Sequence, residues 1–198
     1  MYFMYIFKTF YINIYKFIFP VLLEFITKIH TCIVYIYLIS NCMNHEDFMQ
    51  RAVELSEENI KAGKGGPFWA VIVKDWKIVW EWANHVTSEN DPTAHAEIVA
   101  IRDACKRLKT FQLNDCIIYT SSEPCPMCMA ALYRARPKAI YFANTIKDAA
   151  KIWFDDSFIY EELEKKLKNR SLHIERMHNE KAIKVFNEWG KKEDKIEY

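Results

Sequence analysis

Glycine is scarce in this chain: four residues among 198, where globular proteins average about 7%. Tight turns and close backbone approaches therefore fall largely on other residue types. Net charge is nearly absent too, at +1 overall. The segment before Met43 holds Lys8, Lys16 and Lys28 against Glu24, which leaves a formal −1 for the remainder. That balance gives no electrostatic footprint for nucleic acid and favours small substrates. Of the six cysteines, Cys32, Cys42, Cys105 and Cys116 show no framework spacing, which speaks against a disulfide scaffold and for a reducing cytoplasm. Internal repeats and low-complexity tracts are missing after Met43. A chain of this length buries one core, so one globular domain with an appendage is expected.

The appendage is residues 1–42, where Tyr, Phe and Ile dominate, lysines are scattered and glycine is missing. The stretch from Ile29 to His45 carries no formal charge and sits at the short edge of a membrane span. No small-residue cleavage site follows it, which weakens a secretory-signal reading. The remaining readings are a marginal membrane segment or an upstream stretch outside the functional protein. Met43-Asn44-His45-Glu46 reads as a natural beginning of the domain over 43–198, with Asn44 placed to cap a helix over Asp47 to Ala62.

That helix ends at Gly65-Gly66. Phe68 to Lys74 reads as a buried strand, Asp75-Trp76 as a turn, and Lys77 to Trp82 as the returning hairpin strand, closed by Asn84. A helix over Ala94 to Leu108 follows, with Asp91 as its cap and Pro92 in its first position. Next come a strand at Cys116 to Thr120, a helix opening at Cys125 and a strand at Lys138 to Ala143. A helical stretch over Ala149 to Leu167, broken near Asp155-Asp156, leads to a strand at Leu172 to Met177 and a helix at Lys181 to Trp189. Strands alternating with helices predict an α/β protein, a three-layer α/β/α sandwich around a mixed five-stranded sheet. The charged tail from Lys191 to Tyr198 reads as frayed.

Two short motifs carry the chemistry. Cys125 and Cys128, in Glu123-Pro124-Cys125-Pro126-Met127-Cys128, follow a proline and precede the apolar run Met129 to Tyr133. This puts them in the first turn of a helix, where amide dipoles favour thiolate. His95, in Thr93-Ala94-His95-Ala96-Glu97, likewise falls in a first turn. One imidazole and two thiolates balance the charge of Zn²⁺ and fill three of its four tetrahedral positions. With no convincing fourth protein ligand nearby, the open position marks a catalytic site. Glu97 is poorly placed to ligate the same ion but able to reach a water in that position, which makes it the proton shuttle. A structural zinc knuckle or a redox pair is the competing reading of Cys-x-x-Cys alone; the His-x-Glu partner and both helix starts favour catalysis. His-x-Glu followed by Pro-Cys-x-x-Cys is the signature of zinc nucleobase deaminases.

From Met43 to Tyr198 the chain resembles the bacterial guanine deaminase family, within the cytidine-deaminase-like superfold. The resemblance rests on Gly65-Gly66-Pro67-Phe68, Asn84-His85-Val86-Thr87, Asn90 to Glu97, Ser122 to Cys128, Arg136-Pro137-Lys138-Ala139, Phe154 to Tyr160, and the terminal Glu197-Tyr198. It implies hydrolysis of guanine to xanthine and ammonia with one zinc per subunit, in a cytoplasmic enzyme. Zinc would lower the pKa of water in the open position, so that attack at C2 of the purine proceeds at neutral pH. Glu97 would pass the water's protons on, the first to ring nitrogen N3 and the second to the departing amino group. The resemblance further implies that Asn84, Asp156 and Tyr198 bind the base, with Phe68 and the backbone amide of Ala96 as lesser parts of the pocket wall. It also implies a homodimer whose C-terminal segment crosses to the partner subunit, turning the frayed tail into a lid. His85, His173 and His178 lack a motif and read as solvent-facing or structural.

Other members of the superfold compete. A tRNA adenosine deaminase shares the zinc motif but needs more basic surface to bind an RNA loop, and would lack the Phe154-Asp155-Asp156-Ser157 run. A guanosine or cytosine deaminase shares the chemistry, and a membrane-tethered structural zinc module is the non-enzymatic alternative. Two departures from the family pattern stand out. Arg134 occupies a place where an aromatic commonly helps wall the base pocket. Trp69, Trp76, Trp80, Trp82 and Trp153 stand where relatives commonly have glycine, and Trp76 falls in a turn that wants positive φ. Genuine divergence is one explanation. The other is a UGA codon that one genetic code reads as glycine and another as tryptophan.

Overall fold

The computed structural model describes residues 21–31 and 43–197. Its contacts divide into two units, Met1–Met43 and Asn44–Tyr198. In the first, residues 21–31 are helical with exposed side chains and a Glu24–Lys28 ion pair of 2.8 Å. Most of the uncharged Ile29–His45 stretch, with Cys32 and Cys42, lies outside the described residues. Among the described residues no helix is long and apolar enough to cross a membrane.

In the second unit the order is α1 (His45–Lys61), β1 (Trp69–Lys74), β2 (Lys77–Ala83), α2 (Val86–Glu89), α3 (Ala96–Leu108), β3 (Cys116–Ser122), α4 (Pro126–Ala135), β4 (Ala139–Asn144), α5 (Ile146–Lys151), α6 (Ser157–Glu164), a short 3-10 turn at Leu167–Asn169, and α7 (Glu180–Gly190). Asn44 caps α1 as expected. Its Oδ1 accepts from the amides of Glu46 and Asp47, and Asp47 Oδ2 accepts from the Asn44 amide in return.

The sheet runs β2-β1-β3-β4, with β1 antiparallel to both neighbours and β3 parallel to β4. Side chains alternate across it. Ala70, Ile72 and Ile118 turn to α3 and α4, where Ala96, Ala100 and Ala104 form a stripe of small residues that lets α3 lie close, with Leu132 beside them. Val71 and Val73 alternate with these, and on that opposite face Phe48 of α1 meets Tyr119 with ring centroids 5.3 Å apart. Helices thus flank the sheet on both sides, as expected for three layers. Each fully buried Ile or Leu contributes about 1.5–3 kcal/mol relative to exposure. Arg51 fastens α1 to β2 through a two-pronged contact with Glu81, Nε to Oε1 at 2.8 Å and Nη2 to Oε2 at 3.1 Å.

Two expectations need correction. The sheet has four strands among the described residues, not five: Leu172 to Met177 finds no hydrogen-bonding neighbour, and a strand exists only through one. Helix α3 begins at Ala96 rather than Ala94. Asp91 Oδ1 accepts from the Thr93 amide at 2.8 Å and the Thr93 hydroxyl at 2.7 Å, so Asp91-Pro92 builds a turn and His95 takes the N-cap position.

Candidate active site

Two helix N-termini meet beside the C-terminal end of β3. His95 is the N-cap residue of α3, and Cys125 is that of α4, with Pro126 in the first helical position where its missing N–H costs nothing. Cys128, one turn into α4, donates its amide to Cys125 Sγ at 3.5 Å. His95 Nδ1 lies 3.5 Å from Cys125 Sγ, and ligand atoms of His95, Cys125 and Cys128 all fall within 4.8 Å of one another. Hydrogen bonds from Cys128 and His95 lower the Cys125 thiol to about 4. Cys128 is pushed strongly up because it donates to Cys125 and is buried. One imidazole and two sulfurs converging at this spacing suit a borderline-soft tetrahedral ion, and zinc fits the donor set.

Glu97 sits behind this group, 7% exposed. The Thr120 hydroxyl donates to its Oε1 at 3.2 Å, and the Cys128 thiol lies 3.5 Å from its Oε2. Burial raises its pKa, with the neighbouring Cys125 charge adding to the effect. A carboxyl so placed, with its pKa raised, can take and return a proton.

In front lies a cavity of about 260 Å³ whose walls include His95, Glu97, Cys125, Asn84, Phe68 and Asp156. That is below the roughly 300 Å³ at which pockets for drug-sized ligands begin, and suits a single base. Asn84 uses Oδ1 to accept from the Val86 amide at 3.0 Å, which leaves its Nδ2 donors for a ligand. Asp156 is the N-cap residue of α6 but makes no side-chain cap bond; burial raises its pKa, and it faces the cavity instead. Phe68 and Phe154 meet edge to face, centroids 4.8 Å apart. Gly66 keeps that corner open: a Cβ there would stand 3.3 Å from the Phe68 ring and 3.7 Å from Phe154.

The structure therefore gathers His95, Cys125, Cys128, Glu97, Asn84, Asp156 and Phe68. Ala96 is fully buried and is not part of the cavity wall. Tyr198 lies outside the described residues. Arg134 does not wall this cavity; it is exposed and borders a separate groove with Ile98 and Phe111. His85 bonds Glu89 at 2.8 Å, while His173 pairs with Glu175 and His178 meets Arg176, all structural or surface roles as expected. Sequence reasoning misses Thr120, whose only signal is its strand position, and Phe154, which belongs to a quoted motif without an assigned role.

A family of zinc-dependent deaminases accounts for both the fold and this donor set. Residues 43–144 match the family described as the cytidine and deoxycytidylate deaminase zinc-binding region. The chain belongs to that family, and within it to the guanine deaminases. It is 53% identical over 156 residues to the guanine deaminase of Bacillus subtilis, covering 79% of this chain and 100% of that protein. The X-ray structure of that Bacillus subtilis enzyme superposes with a TM-score of 0.75 at 52% identity, over 79% of this chain and 99% of the other. A guanine deaminase structure from Nitrosomonas europaea superposes at 0.53 with 30% identity, over 57% of this chain and 65% of that one. The tRNA-specific adenosine deaminase of Aquifex aeolicus is a more distant relative, 39% identical over 101 residues, 51% of this chain and 66% of its own.

Proposed function

We propose that residues 43–198 hydrolyse guanine to xanthine and ammonia, with His95, Cys125 and Cys128 holding the zinc and Glu97 carrying the proton. The observation that supports this most is the placement of Glu97 and the three ligand residues around one base-sized cavity that also presents Asn84 and Asp156. Zinc when bound supplies a Lewis acid that makes water nucleophilic at neutral pH.

The chain's own groups do the rest. Asn84 Nδ2 donates to an acceptor on the purine, and the Asp156 carboxylate accepts an N–H from it. Phe68 and Phe154, packed on each other, form one apolar wall that keeps water from the base on that side. Glu97 takes one proton from the attacking water and delivers it to the ring nitrogen. It then takes the second from the hydroxyl now on C2 and delivers it to the amino group as the C–N bond breaks and ammonia leaves. Its burial, which favours the protonated form, suits it to hold each proton in turn.

The chain also works as a homodimer in this reading. Helix α7 buries no residue, and its Ile183, Val185, Phe186 and Trp189 are all exposed. Such a face needs a cover, and a second copy whose C-terminal segment reaches across would bring Tyr198 over the base. The test is ammonia release by the full chain supplied with guanine, guanosine, adenine or cytosine. Turnover of guanine alone is expected; turnover of another substrate in its place overturns the substrate assignment.

A further inference from the structure

Several tryptophans sit where the backbone turns left-handed or where the indole N–H is buried without a partner. Helix α5 ends in a Schellman motif: the Phe154 amide donates to Ala149 O at 3.1 Å, and the Trp153 amide to Ala150 O at 3.2 Å. The residue after the cap must then be left-handed, and Trp153 has φ 74°. Glycine is the usual occupant, because a Cβ there crowds the following carbonyl. The Trp153 ring is 96% exposed, so no packing offsets that conformation.

Trp76 repeats the problem. Asp75 and Trp76 form the two-residue turn between β1 and β2, with φ 50° and 59°. Two positive φ values in a hairpin turn select Asp-Gly or Asn-Gly. The Trp76 ring, 54% exposed, meets His45 edge-on at 5.2 Å and Phe48 at 6.2 Å.

Trp69 and Trp80 show a different misfit. Their indole Nε1 atoms are buried without any hydrogen-bond partner, the two side-chain atoms so placed among the described residues. An orphaned buried donor loses its water and gains nothing. Trp82 has no such fault, since its Nε1 donates to Asp103 Oδ2 at 3.2 Å.

We propose that the working protein carries glycine at positions 69, 76, 80 and 153, and that glycine at 153 is a positioning residue for the base pocket. UGA is read as tryptophan in some genetic codes and as glycine in others, so one reassigned codon accounts for all four misfits. The scarcity of glycine, four residues in 198, runs the same way. The left-handed step at 153 turns the chain from α5 so that Phe154 meets Phe68 and Asp156 faces the cavity. A free choice of φ there sets how firmly the pocket closes on a base.

The test begins with protein purified from its source cells, digested and sequenced by mass spectrometry across these positions. Peptides lighter by the difference between tryptophan and glycine are expected; tryptophan at positions 76 and 153, or UGG codons there in the gene, overturns the proposal. A second arm compares the full chain as written with Trp153→Gly, Trp153→Ala and the double variant Trp76→Gly/Trp153→Gly, which changes only the two tryptophans of positive φ. The double variant is expected to melt higher by about 5 °C. Trp153→Gly is expected to lower KM for guanine severalfold with kcat held, while Trp153→Ala, which keeps the strained φ, does not. Equal gains from alanine and glycine at 153, or a lower melting temperature in the double variant, overturn it. The kinetic readout rests on guanine as substrate; the thermal and mass readouts do not, so the two readings fail separately.

Discussion

Thr120 Oγ1 donates to Glu97 Oε1 across 3.2 Å, from a buried strand to the first turn of the helix that follows His95. Cys128 Sγ lies 3.5 Å from the other oxygen but is committed to the metal in the loaded site, which leaves the Thr120 hydroxyl as the side-chain donor to this carboxyl among the described residues. Thr120→Val keeps the side-chain shape and removes the donor. A hydrogen bond to a charged group is worth about 1.5–3 kcal/mol, so kcat should fall roughly tenfold to a hundredfold with KM unchanged. Thr120→Ser, which restores a hydroxyl, should recover most of it. Steady-state kinetics on guanine decide this, and an unaltered kcat in Thr120→Val would mean the carboxylate is placed without it.

Glu97→Ala separates catalysis from metal binding. It removes the proton carrier and none of His95, Cys125 and Cys128. Turnover should drop by about 10²–10⁴-fold, the usual span for a general acid–base group. Zinc content, read by metal analysis, should stay at one per chain. Activity retained in this variant would sink the mechanism, and zinc lost with it would give Glu97 a structural role.

Asn84 has two jobs that substitution can divide. Its Oδ1 accepts from the Val86 amide at the start of α2, and the residue lines the cavity. Asn84→Asp keeps an acceptor for Val86 and replaces the Nδ2 donors with a charged oxygen. The expected result is an unchanged melting temperature and a kcat/KM for guanine lower by about tenfold to a hundredfold. A fall in stability without a kinetic loss would leave Asn84 as a turn residue.

The metal-binding group is legible in the sequence because its ligand types are few and two of them sit three positions apart on one helical turn. Helix starts written by Pro126 and by the His95-Ala96-Glu97 run do the rest. Asn84 and Asp156 are different: as residues they read equally well as a turn former and a helix cap, and it takes the fold to aim both at one cavity. Thr120 is silent for a related reason. Alternation puts it on a strand, but its partner is 23 positions away on a helix. The strand expected at Leu172 to Met177 fails because an apolar pattern describes a segment's faces and says nothing of whether a neighbour is there to pair with it.

Tyr119 predicts an alkaline limit to stability. It is fully buried, shares a 2.6 Å hydrogen bond with His45 Nδ1 and stacks on Tyr141 at 5.3 Å. Burial raises its phenol from 10.0 to about 12, with Tyr141 adding to the shift. The folded chain thus holds this proton more tightly than the unfolded one. The stability it contributes is complete below pH 10 and is lost as the pH rises through about 12. Tyr119→Phe should remove that component, so its denaturation midpoint should fall less steeply than that of the unaltered chain over the same interval. Parallel curves for the two proteins would show that this phenol does not set the limit.

A swapped dimer makes a prediction that a simple dimer does not. The apolar side chains of α7 lie exposed, as does Met177 before it. If the C-terminal segment serves the partner's cavity, then each site takes Glu97 from one subunit and Tyr198 from the other. Co-expressing Glu97→Ala with Tyr198→Ala then yields mixed dimers in which one site carries both defects and the other carries none. Activity should reappear in the co-expressed protein although each variant alone is crippled. If each chain instead closes its own site, every site in the mixture holds one defect and no activity returns. Guanine turnover by the mixed dimer, separated by two different affinity tags, distinguishes the two arrangements.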